Sequence, residues 1–145
     1  MIERYLGETS ILSNAPTYSL AEDGARTEVL DRLPEMVIKP REGYGGQGLV
    51  VGPEARSEEI EAARRNIRKD PTHFVAQETL DFSTHLLKGD VDGPPDEVFV
   101  DLRAFVLPAV GHLMPGGLTR VAKPGTRIVN STVGGGCKDT WVLED

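Results

Sequence analysis

The chain has 145 residues, 16 basic and 23 acidic side chains, a formal net charge of −7 and one cysteine, Cys137. That length suits one domain, and a single cysteine excludes a disulfide-framed secreted scaffold. The acidic balance argues against nucleic-acid binding, no apolar run approaches the roughly 20 residues of a spanning helix, and residues 1–14 lack a secretory signal pattern, so a soluble cytoplasmic chain with no membrane partner is expected.

Residues 1–6 read as the end of a helix closed by Gly7, and a chain that starts so close to a helix end looks truncated at its front. Asn14-Ala15-Pro16-Thr17 reads as a turn or linker. Ser19 is the candidate cap of a short helix that carries Val29, Leu30 and Leu33 on one stripe and stops at Pro34. Residues 36–39 and 49–51 read as two strands of a hairpin. The clearest helix spans residues 57–69: Ser57 is its expected N-cap, and Glu58, Glu59 and Glu61 open it. Ile60, Ala63 and Ile67 share a face, and Arg64, Arg65, Arg68 and Lys69 load its end before Asp70-Pro71. Residues 74–78 form a short strand, and residues 88–96, rich in Gly, Pro and Asp, an exposed loop. In the long strand expected over residues 97–107, period two puts Phe99, Asp101, Arg103 and Phe105 on one face. Val98, Val100, Leu102, Ala104 and Val106 lie on the other, which is expected to pack on a core. Further strands are expected over residues 117–122 and 127–130. Trp141 reads as a packing residue of the tail. Helix, hairpin, helix and then several strands make an α+β fold with a mostly antiparallel sheet.

The 16 glycines are clumped, and one clump follows a lysine: Lys39-Pro40-Arg41-Glu42-Gly43-Tyr44-Gly45-Gly46-Gln47-Gly48. Gly43 to Gly48 satisfies Gly-x-Gly-x-x-Gly, but a dinucleotide fingerprint needs a helix after its glycines and here a strand follows. A Walker A loop needs Gly-Lys-Ser/Thr, which is absent. What remains is a glycine flap between antiparallel strands with a lysine at its entrance. Backbone N–H groups can close over phosphates, Lys39 can meet phosphate oxygens as a point charge, and Glu42 can hold Mg²⁺, a hard cation that prefers oxygen. The competing reading is a flexible hairpin with an exposed lysine.

That segment is followed by Val75-Ala76-Gln77-Glu78, Val100-Asp101-Leu102-Arg103, Met114-Pro115-Gly116-Gly117-Leu118-Thr119-Arg120-Val121-Ala122 and Val129-Asn130-Ser131-Thr132-Val133-Gly134-Gly135-Gly136-Cys137-Lys138-Asp139-Thr140-Trp141. Together these resemble successive motifs of the circularly permuted ATP-grasp proteins, bacterial proteins related to glutathionylspermidine synthetase and, distantly, to glutathione synthetase. The resemblance runs from about Tyr5 to Leu143. It implies an ATP-grasp fold, in which two α+β subdomains clasp ATP and a carboxylate is joined to an amine through an acyl phosphate. By the same resemblance Lys39 contacts the phosphates, Glu42 is a magnesium ligand, and Gly43, Tyr44, Gly45, Gly46, Gln47 and Gly48 form the flap. Gln77 and Glu78 match the hinge that holds adenine and ribose. Arg103 and Arg120 face phosphate or the substrate carboxylate. Asn130, Gly134, Gly135, Gly136 and Lys138 belong to the loop that closes on the acceptor.

The resemblance also implies a large N-terminal portion preceding the matched region in family members. Residues 1–145 are then the C-terminal part of one ATP-grasp domain: a helical segment over 1–34, flap, helix and hinge strand over 35–82, and strands with the closing loop over 97–145. Partners implied are ATP, small carboxylate and amine substrates, the remaining portion, or a second copy of the chain. Weak nucleotide binding without turnover is expected of this chain alone. A non-catalytic nucleotide-sensing or interaction module is the alternative function. Blander roles stay open for single residues: an Arg103–Asp101 ion pair, a surface Glu78, a simple turn at Gly116-Gly117 and an incidental Cys137.

Overall fold

The computed structural model describes residues 2–43, 46–88, 93–130 and 134–143. The chain forms two units, one of Met1–Glu42 with Gly48–Leu80 and one of Gly43–Gln47 with Asp81–Asp145.

The first unit contains α1 (Ile2–Leu6), β1 (Thr17–Ser19), α2 (Asp23–Asp31), β2 (Met36–Pro40), β3 (Val50–Val51), α3 (Ser57–Lys69) and β4 (Phe74–Glu78). Its sheet has the order β1-β4-β2-β3, and every neighbouring pair is antiparallel. β1 and β2 are therefore parallel to each other with β4 between them, joined by α2. β3 and β4 are likewise parallel with β2 between them, joined by α3. The result is two interleaved β-α-β units, which explains how a mostly local sequence pattern produces a sheet of non-local neighbours. Both helices cover one face. Leu20, Val29, Leu33, Met36, Ile38, Ile60, Ile67 and Ala76 make the core, with Tyr18, Leu30 and Phe74 packed against it. Each fully buried aliphatic side chain stabilises the unit by about 1.5–3 kcal/mol before entropy is counted. Arg64 Nη1 of α3 donates to the Leu30 carbonyl at 2.5 Å and ties the two helices together.

α1 ends at Gly7, whose φ of +68° is the left-handed closure its position suggests. Ser19 is not a cap. The ladder with β4 captures it as the last residue of β1, and Glu22 precedes α2 instead. α3 has the expected bounds, but its N-cap is Arg56, whose backbone N–H donates to Glu59 Oε2 at 2.8 Å. That hydrogen bond, helped by the Arg56 side chain, holds the Glu59 carboxyl below the usual carboxylate range. A lowered folded value stabilises the helix above the ordinary carboxylate pKa and ceases to do so as pH falls through the lowered value. Glu59→Gln should therefore lower the urea midpoint at pH 7, with the gap to wild type closing between about pH 5 and pH 3.

The second unit contains β5 (Thr84–Leu87), β6 (Asp96–Leu107), β7 (His112–Val121) and β8 (Gly136–Lys138), an antiparallel meander in chain order. Among its described residues Val98, Val121 and Ala122 are the buried apolar ones. Three expectations are corrected here. Leu102 and Val106 are 62% and 63% exposed, so the apolar face of β6 is covered only near Val98 and Val100. Residues 127–130 find no strand partner and are irregular, because β-branched side chains alone do not create a ladder. Trp141 is 84% exposed. The sheet is curled: Lys138 Nζ of β8 reaches the Leu86 carbonyl of β5 at 3.0 Å, although flat strands in this order would lie about 14 Å apart. Among the described residues no helix is long and apolar enough to cross a membrane.

Candidate functional site

Alternation sorts the first unit's candidate residues onto two faces. Met36, Ile38 and Ala76 enter the helix-covered core, so Val37 and Lys39 of β2, Val75 and Gln77 of β4, and Thr17 and Ser19 of β1 share the far face. Lys39 is half-buried there. Its ammonium donates to Gln77 Oε1 across a diagonal of the ladder. An ammonium can only donate, which fixes the amide with its oxygen toward Lys39. Gln77 Nε2 then donates to Thr17 Oγ1 at 2.8 Å, and the Thr17 hydroxyl donates to the Ala15 carbonyl at 2.9 Å. Burial pushes the Lys39 ammonium below the ordinary lysine value. A partly desolvated cation interacts more strongly with an anion than one in bulk water does.

Glu78 follows Gln77 in β4 and so points to the opposite face. Tyr18 Oη donates to Glu78 Oε1 at 2.9 Å, and Arg32 Nη2 stands 3.7 Å from the same oxygen. Arg32 is also paired with Glu35 and Glu28, which raise its pKa, and the bond to Glu78 raises the Tyr18 phenol above its ordinary value. Gln77 and Glu78 thus belong to separate networks. In the glycine cluster, the flanking strands β2 and β3 pair through Val37–Val51 and Ile38–Val50. Residues 46–48 form a turn in which Gly46 and Gly48 have φ of +83° and +75°. Tyr44 and Gly45 lie outside the described residues. Gly43 and Glu42 are exposed.

In the second unit Arg120 of β7 faces Asp101 of β6, donating through Nε to Oδ1 at 2.8 Å and through Nη2 to Oδ2. This fork raises the Arg120 pKa and means that Asp101 is engaged by Arg120 rather than by Arg103. Arg103 is exposed on the same face, two residues along β6. A Cβ built on Gly46 would lie 3.9 Å from Asn130 Nδ2, so Gly46 and Asn130 are neighbours. Gly135 donates its N–H to the Asn130 carbonyl at 3.1 Å, and Gly136 and Lys138 belong to β8. Sequence reasoning passed over Arg127, whose guanidinium lies 4.8 Å over the Phe99 ring. It also passed over Tyr18 and Arg32. The alternation of Thr17, Tyr18 and Ser19 was the available signal.

Among the described residues no group of three His, Cys, Asp or Glu side chains could form a metal cage. Glu42, the sequence candidate for magnesium, is a single exposed carboxylate that follows β2.

The family described as circularly permuted ATP-grasp type 2 matches residues 1–122. An uncharacterized protein of Mycobacterium tuberculosis (strain ATCC 25618 / H37Rv) is 47% identical over 99% of this chain. A Frankia alni protein named "Putative glutamate--cysteine ligase 2-3" is 42% identical over 98% of it. An uncharacterized protein of Synechocystis is 41% identical over 99% of it. The chain spans 26%, 16% and 30% of the length of these three relatives.

Proposed function

The chain belongs to the circularly permuted ATP-grasp family, and on that premise we propose that it forms the ATP-binding portion of a ligase that joins a carboxylate to an amine. The observation that carries this reading is the half-buried Lys39 ammonium at the end of β2, held by Gln77 where the chain enters its glycine cluster. A side chain fixed in this way supplies a preorganised positive charge at low entropic cost. The name borne by the Frankia relative is in keeping with carboxylate–amine ligation.

In this reading ATP supplies the phosphoryl group. Lys39 holds phosphate oxygens and Glu42 offers an oxygen to magnesium. Backbone N–H groups of Gly43, Tyr44, Gly45, Gly46, Gln47 and Gly48 cover the phosphates and exclude water. Gln77 and Glu78 stand at the nucleoside end. Arg103 and Arg120 orient the substrate carboxylate, whose oxygen attacks the γ-phosphorus as ADP leaves. The loop of Asn130, Gly134, Gly135, Gly136 and Lys138 closes on the amine. The amine attacks the acyl carbon, loses a proton and displaces phosphate. Residues 1–145 act here as one part of an ATP-grasp domain, binding nucleotide weakly and not turning it over alone. A cytoplasmic setting is in keeping with the unpaired Cys137.

An amide-shift titration of the 145-residue chain with Mg-ATP tests the proposal. Shifts are expected at Lys39, the glycine cluster and Gln77–Glu78, with Lys39→Ala weakening binding about tenfold. No shift at millimolar nucleotide would overturn it in favour of a non-catalytic module.

A further inference from the structure

We propose that β1 is a positioning strand whose two hydroxyls set Lys39 and Arg41 as a paired clamp for a polyanion. This inference rests on the polyphosphate reading of Lys39 and adds Arg41, Thr17 and Ser19 to it.

The argument starts from register. The ladder between β2 and β4 continues one residue beyond Pro40, where the Arg41 N–H donates to the His73 carbonyl at 2.8 Å. Period two then puts Arg41 on the same face as Lys39. Arg41 Nη2 donates to Ser19 Oγ at 2.6 Å. Lys39 is held through Gln77 by Thr17, at 2.8 Å for the Gln77–Thr17 bond. Two cations on one strand are thus each tied to a hydroxyl of the same three-residue strand, one directly and one through an amide. The intervening Tyr18 points the other way, to Glu78. Among the described residues neither cation is bound to a carboxylate on this face: both are held by neutral groups. A carboxylate would cancel the charge being positioned, whereas a hydroxyl or amide oxygen orients it and leaves it available to an anion. The spacing of i and i+2 along an extended strand is about 6.5–7 Å, suited to two separate phosphate groups of one chain rather than to a single monoanion.

Thr17→Val and Ser19→Ala remove one hydroxyl each, and backbone amide spectra report whether the fold is kept. In the nucleotide-free chain, Thr17→Val should shift the Lys39 side-chain ammonium signals and leave the Arg41 Nε–H signal in place. Ser19→Ala should do the reverse. In a double-mutant cycle, Gln77→Leu should abolish the Lys39 response to Thr17→Val but not the Arg41 response to Ser19→Ala. With inorganic tripolyphosphate and Mg-ATP as probes, each hydroxyl variant should weaken binding about threefold and Arg41→Ala about tenfold. Side-chain signals that ignore the hydroxyls would overturn the inference. So would an affinity that falls in Lys39→Ala but not in Arg41→Ala. If the wild-type chain binds neither probe at millimolar concentration, the polyphosphate reading fails and the clamp with it. The side-chain signals then still decide whether β1 sets the two cations.

Discussion

Gly52→Ala is expected to cost the first unit about 3 kcal/mol, read as a fall in its urea midpoint. Gly52 is buried just after β3. A Cβ there would stand 2.3 Å from the Leu33 carbonyl oxygen, 2.7 Å from the Met36 carbonyl oxygen and 2.7 Å from the Pro34 carbonyl carbon. All three are backbone atoms, two in the turn that precedes β2 and one in its first residue, so no rotamer change relieves the clash. The main chain that carries Lys39 would have to move. Gly24→Ala is the matching control. Gly24 lies in α2, and its Cβ would meet nothing within 4 Å. That substitution should be neutral or add about 0.5 kcal/mol through helix propensity.

Gly135→Ala should have a comparable effect in the second unit, about 2–3 kcal/mol. Its Cβ would lie 2.4 Å from the Val121 carbonyl oxygen and 2.6 Å from that of Asn130. Val121 pairs with Gly136 in the β7–β8 ladder. The strain should therefore show first as faster amide exchange in β8, with a lower melting temperature, and with little change at Lys39 and Gln77. A wild-type exchange pattern in this variant would mean that the tight approach of the loop to β7 is not held in solution. Gly135 thus has a steric reason to be glycine in addition to any part in closing on a substrate.

α3 and β4 were legible in the sequence because local chemistry marks both ends: acidic residues at the helix start, basic residues at its finish, a proline stop and an apolar strand. β1 and β5 were not. They have three and four residues, and what makes them strands is pairing with β4 and β6, which no local pattern records. The error over residues 127–130 is the converse, a strand-like composition without a partner. At the site, Lys39 could be singled out because it precedes a glycine cluster, and the family resemblance brought in Gln77. Their hydrogen bond could not be foreseen, since it depends on the β2–β4 register. Nor could the separation of Gln77 from Glu78 be seen before β4 was known to have one covered face. Asp101 and Arg103 share a face as alternation requires, but only the β6–β7 register reveals that Arg120 engages the aspartate.

Lys39 and Gln77 are separated by 38 positions along the chain. Because β4 is the last strand of its unit to be synthesised and inserts between β1 and β2, a nascent polypeptide that stops before Phe74 has the lysine but nothing to hold it. Assembly of the Lys39–Gln77 pair is therefore tied to the slow, entropically costly closure of a long loop rather than to the rapid zipping of the β2–β3 hairpin. Incomplete or misfolded copies would lack the hydrogen bond that holds the Lys39 ammonium.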